Sequence, residues 1–273
     1  MKTTMKIFLL LGLVTIIFTN CEKSEETAPP EIPPYRSMAV DFESFSIDQP
    51  TQKSTGLNYG LSALNIGVWS TMVTVTLAVP TAAFYASFDN EPEYLGDGMW
   101  QWDYEVSGFA TTYSARLTGE LSRDSVDWKM YIASEGINAH PEFMWFEGTS
   151  ANSGAGGTWL LYQSYAHQVP LLKMNWTREN DLVNMVKYEY VRELTMEGET
   201  DTGYGTYLIY GKQEPPYDSY FTSHSYNHNQ GIFYDVFIEW SSTEYNGHVK
   251  SEQFFNDAEW HCWNGSGLDT QCE

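Results

Sequence analysis

The chain has 273 residues, with 36 Asp and Glu against 14 Lys and Arg, a formal net charge of −22. A chain this acidic is repelled by nucleic acid and by anionic lipid surfaces, so no nucleic-acid partner is expected. The 10 Trp, 19 Tyr and 14 Phe suit the half-buried faces of β-strands.

Lys2 and Lys6 precede the apolar run Ile7–Phe18, the charged and apolar regions of a secretory signal peptide over residues 1–20. The run ends at Phe18-Thr19-Asn20-Cys21. That box resembles the lipobox of Bacteroidota-type bacterial lipoproteins, with Phe18 and Asn20 in place of the commoner Leu and Gly or Ala. The following Glu22-Lys23-Ser24-Glu25-Glu26 resembles the acidic signal that sends such lipoproteins to the cell surface. The resemblance implies a lipid on Cys21, the membrane as a partner through that lipid, and a place on the outer membrane or cell surface. Several acyl chains together hold a protein stably where one holds it marginally. Four prolines between Pro29 and Pro34 favour extended polyproline II. Residues 21–37 therefore read as an acidic, Pro-rich tether, and 38–273 as a single β-rich domain.

Met38–Ile47 alternates weakly, as a first strand would. Ser54–Phe88 then runs without one charged side chain. Leu57, Leu61, Leu64, Val68, Met72, Val75 and Val79 recur every three or four residues, the stripe of a helix with one buried face. Pro80 lacks an N–H and should break it, giving a helical hairpin over about 57–88. Ser54 or Thr55 is a suitable N-cap. Two other readings stand beside this one. The segment is long enough to span a bilayer, and Val73–Thr76 is a β-branched run suited to a strand.

From Gly98 onward, period-two alternation dominates. Trp100, Trp102, Tyr104 and Val106 face one way, as do Tyr113, Ala115, Leu117 and Leu121, and Val126, Trp128, Met130 and Ile132. The pattern returns at Leu172–Trp176, Val186–Tyr190 and Ile232–Trp240. Turn residues separate the runs, with Asn246-Gly247 the strongest hairpin signal. Short strands without intervening helices predict a mainly β fold: an antiparallel meander of about 11–12 strands forming a half-barrel or open barrel around the apolar helical hairpin. This layout resembles the outer-membrane lipoprotein carrier fold of the LolA/LolB type.

Cys262 and Cys272, in an exported chain, predict a disulfide closing a short loop. A metal pair of Cys262 with His261 lacks a second ligand pair at zinc-like spacing. In a strand, a spacing of four keeps His224 and His228 on one face, so a metal pair is conceivable, beside the reading of a polar strand end near a turn. Glu197, Glu199 and Asp201 open like a calcium loop, but Thr202 and Leu208 stand where glycine and glutamate are required. No nucleophile elbow, metalloprotease motif or phosphate loop is present. No catalytic residue, metal or cofactor is therefore assigned, and a non-enzymatic binding or envelope protein is expected. Trp100, Trp102, Trp128, Trp176 and Trp240 are the candidate lining of a hydrophobic-ligand cavity. The alternative is a surface glycan- or protein-binding module using outward rings such as Tyr131, Phe233 and Phe237. The partners expected besides the membrane are thus a hydrophobic small molecule or a glycan.

Overall fold

The computed structural model describes residues 28–40, 42, 45, 56–108, 111–136 and 139–272. The signal peptide, Cys21 and the expected caps Ser54 and Thr55 lie outside the described residues.

One long helix, α1 (Leu57–Ala86), precedes the sheet. The strands are β1 (Glu93–Gly96), β2 (Met99–Gly108), β3 (Thr111–Leu121), β4 (Ser125–Gly136), β5 (His140–Ala151), β6 (Gly156–Tyr162) and β7 (Pro170–Glu179). They continue with β8 (Leu182–Tyr190), β9 (Tyr207–Lys212), β10 (Ser219–Asn227), β11 (Ile232–Trp240), β12 (Gly247–Lys250), β13 (His261–Trp263) and β14 (Asp269–Thr270). A short helix, α2 (Glu252–Phe255), follows β12. Every strand pairs with its chain neighbours in the order β1 to β14. The result is one open antiparallel meander, not closed into a barrel. The described residues form fourteen strands against the 11–12 predicted. Short elements such as β1, β13 and β14, with four, three and two residues, show too little alternation to be read from sequence.

Three further expectations are corrected. Pro80 does not divide the apolar segment, because α1 continues through it to Ala86 and closes in a 3-10 turn, Ser87–Asp89. The carbonyl that Pro80 leaves without a donor is that of Thr76, an exposed residue open to water. The hydroxyl of Thr81 also donates to Leu77 O at 2.6 Å, bracing the same turn. Second, Met38–Ile47 contributes no strand among its described residues. Met38 is buried and held to Tyr188, and Phe42 and Phe45 pack into the core. Third, the last residues of the stretch read as a tether are partly taken into the fold. Pro33, Ser37 and Met38 are buried, and Ser37 Oγ accepts from Trp159 Nε1 at 3.1 Å.

The largest correction concerns which face of α1 is buried. The inner stripe is Asn58, Ser62, Ile66, Trp69, Val73, Leu77, Pro80 and Phe84. Leu57, Leu64, Val68, Met72 and Val75 of the predicted stripe are exposed. Both faces are apolar, so spacing alone could not choose between them. Trp69 and Phe84 bring larger apolar surface to the sheet than the valines opposite. Two polar residues on the inner face are satisfied there. Asn58 Nδ2 donates to Cys262 O at 2.9 Å, and Ser62 Oγ to Asn58 O at 2.8 Å.

α1 bridges the two ends of the meander. Its N-terminus lies on β12, β13 and β14, and its C-terminus on β2 and β3. There Tyr104 Oη donates to Ala83 O at 2.6 Å. At the other end Gly56 carries no capping side chain. The Asp269 carboxylate in β14 instead accepts from the backbone N–H of Leu57 at 3.1 Å and of Asn58 at 3.0 Å. The predicted disulfide joins Cys262 to Cys272, with Cα atoms 5.2 Å apart, and closes the hairpin that carries Asp269. α1 with its closing turn is long and apolar enough to cross a membrane, and its inner face is packed on the sheet.

Across the sheet, glycines sit directly opposite tryptophans. The register pairs Gly119 with Trp128, Gly148 with Trp159, Gly157 with Trp176 and Gly247 with Trp263. A Cβ at Gly119 would stand 2.8 Å from the Trp128 ring, and one at Gly157 3.0 Å from Trp176. Each indole therefore lies over a bare stretch of backbone on the neighbouring strand. Four large rings thus pack on the inner face without forcing strands apart. This explains why Asn246-Gly247 is not the hairpin turn its sequence suggests. Gly247 belongs to β12 beneath Trp263, and Tyr245 takes the left-handed conformation, φ 58°.

Candidate functional site

The exposed flank of α1 forms one wall of a groove of about 610 Å³. Leu61, Leu64, Val68 and Met72 supply that wall, with Trp69 and Val73 at its base. The opposite wall is Leu171 and Leu172 from β7, Tyr188 and Tyr190 from β8, Tyr234 from β11, and Phe254 from α2. Leu64, Val68 and Met72 are each half exposed or more. Volumes of about 300–1,000 Å³ with mostly apolar walls are typical of small-molecule sites.

The groove is held in shape by polar ties to the sheet. Ser223 Oγ, from a fully buried residue of β10, donates to Asn65 Oδ1 of α1 at 3.0 Å. Tyr188 Oη donates to Met38 O at 2.8 Å and accepts from Val40 N at 3.1 Å. Burial pushes the Tyr188 phenol well above the ordinary tyrosine range, so it stays a donor.

One end of the groove is polar. Asp201 Oδ2 accepts from Tyr190 Oη at 2.8 Å and from Arg192 at 2.7 and 2.8 Å. Its Oδ1 accepts from Gly203 N at 2.9 Å. Burial would raise the Asp201 carboxyl, but these hydrogen bonds outweigh it and hold the group below the ordinary range. Burial, reinforced by Asp201, pushes the Tyr190 phenol up to about 12. Asp201 is therefore a structural anchor of the loop before β9 and not an open calcium ligand. Among the described residues, no group of three or more His, Cys, Asp or Glu is placed to hold a metal ion.

The five tryptophans singled out from sequence are not brought to this groove. Trp100, Trp102, Trp128, Trp176 and Trp240 are buried on the inner face, from 7% exposed down to 0%. They pack against other side chains: Trp102 against Trp128 at 5.8 Å, and Trp240 against Phe45 at 5.1 Å. The tryptophan that does reach the groove is Trp69, and sequence reasoning passed over it. The signal available was the absence of charge on every side of α1. A helix with one face against a core and the other in plain water has polar residues outside.

The outward rings considered for glycan stacking each carry a neighbour, although Phe233 and Phe237 stay exposed. Arg116 lies over Tyr131 at 4.1 Å, Lys250 over Phe237 at 5.2 Å, and His224 stacks on Phe233 at 4.6 Å. His224 also bonds Asp235 at 2.7 Å, whereas His228 meets Thr202 at 3.5 Å, so the two histidines serve different neighbours.

Compared with protein-family models, curated proteins and solved structures, the chain finds no significant match.

Proposed function

We propose that this chain is a non-enzymatic lipoprotein of the outer membrane or cell surface, anchored through lipidated Cys21, whose groove holds a hydrophobic ligand such as an acyl chain. The observation that carries the reading is the groove beside α1, where Leu64, Val68 and Met72 stand exposed opposite Leu171, Leu172 and Tyr234. Leaving so much apolar surface of a charge-free helix against a concave wall is costly in water, and an apolar occupant removes that cost. The signal-peptide and lipobox likeness supports the anchor and the location.

Native mass spectrometry of protein purified from its own membrane tests the reading. The expected result is a copurifying lipid that Val68→Trp, which fills the groove from its open side, displaces without changing the far-ultraviolet circular dichroism. Protein free of lipid that also fails to take up N-phenyl-1-naphthylamine, an uncharged apolar dye, would overturn it.

A further inference from the structure

We infer that the groove selects acyl compounds with an uncharged polar head and discriminates against anionic heads, an inference that rests on the ligand-holding reading above. The groove wall contains no Lys or Arg. Asp201 is its one carboxylate, and the Arg192 guanidinium beside it is already committed to Asp201 and to Gln163 Oε1 at 3.2 Å. His228 is the groove's one imidazole, 3.5 Å from Thr202 Oγ1, so a carboxylate or phosphate head entering the polar end would meet no Lys or Arg side chain of the wall and a fixed anion, within a chain of net charge −22. Both the loss of water and the like charge oppose it. Uncharged polar groups, by contrast, face the groove: Asn65 from α1, Thr206, and Ser225 and Tyr226 from β10. The Asn65 oxygen is taken by Ser223, which leaves its amide N–H groups to point at a ligand oxygen. This set can bond ester, amide or hydroxyl heads, which exchange hydrogen bonds with water at little net cost.

The experiment is displacement of N-phenyl-1-naphthylamine from the full chain by a matched pair, monododecanoyl glycerol and dodecanoate. It is run below their aggregation concentrations at about pH 8, where the dodecanoate carboxyl is ionised. The glycerol ester is expected to bind at least about tenfold more tightly. Thr206→Lys, which places a cation at the polar end, is expected to narrow or reverse that preference, read as the ratio of the two lipids' displacement in the variant against the same ratio in the unaltered chain. Equal binding of the two lipids, or tighter binding of dodecanoate, would overturn this inference and leave the groove as a lipid site. An unchanged preference in Thr206→Lys would also overturn it. Absence of dye binding and of any displacement would instead overturn the ligand-holding reading itself.

Discussion

Asp269 accepts hydrogen bonds from the backbone N–H of Leu57 and Asn58, so a carboxylate in the last strand caps the first helix across 211 residues of chain. The carboxylate meets both the free N–H groups and the positive end of the helix dipole. Gly56 is required beside it, because a Cβ there would collide with the Asp269 side chain and backbone. Asp269→Ala is expected to cost about 1 kcal/mol of unfolding free energy, read from urea denaturation.

The disulfide and the cap act on the same hairpin. Replacing Cys262 with Ala and Cys272 with Ser is expected to cost about 2–3 kcal/mol. Because the hairpin then loosens around Asp269, adding Asp269→Ala should cost less than it does alone. A double-mutant cycle is expected to show coupling of about 0.5 kcal/mol or more; strict additivity would mean that the bridge does not position the cap.

The two faces of α1 should respond differently to truncation. Leu77, 2% exposed, lies on the inner stripe, while Leu64 is 66% exposed. Leu77→Ala is expected to cost about 2–5 kcal/mol and Leu64→Ala within about 0.5 kcal/mol. Leu64→Ala should nonetheless weaken dye and lipid uptake. A larger cost for Leu64→Ala than for Leu77→Ala would place the helix the other way round.

The glycine beneath Trp128 offers a test of the inner-face packing. Gly119→Ala is expected to cost about 1–3 kcal/mol through crowding, and pairing it with Trp128→Leu should recover part of the loss. Thermal melts of the two singles and the double would show this.

Acid should loosen the protein through carboxylates that are hydrogen-bonded in the fold. For Asp201 and Asp218, burial acts to raise the pKa. Bonds from Tyr190, Arg192 and Gly203 in the first case, and from Ser242 and Ser219 in the second, more than reverse it. A lowered folded pKa gives stability that is complete above the unfolded value of about 3.9 and lost as pH falls through the folded one. Urea midpoints are therefore expected to fall on the acid side of about pH 4, and Asp201→Asn should flatten part of that fall.

Strand type and order were legible because Trp100–Val106, Val126–Ile132 and Ile232–Trp240 alternate cleanly, with one face hidden. The face of α1 was not, since Leu64 and Ile66 look alike to a periodicity argument and differ only in what lies across from them. The groove followed the same limit. Its walls come from Val68, Leu172 and Tyr234, residues far apart in the chain and unremarkable within their own elements. The buried tryptophans drew attention by size, yet size fits a filled interior as well as a cavity lining. Gly247 misled for a related reason: an Asn-Gly pair favours a turn locally, and only Trp263, on the next strand, shows why the glycine is there.

Each strand of the meander finds its partner next to it in the chain, so closing each pair loses little entropy and the sheet can grow one hairpin at a time as the polypeptide emerges. α1 cannot share in that progress, for the groups that seal its first turn arrive only with β14. A helix that precedes every strand of the sheet is thus secured only once β14 is in place, and the β13–β14 hairpin serves as its latch.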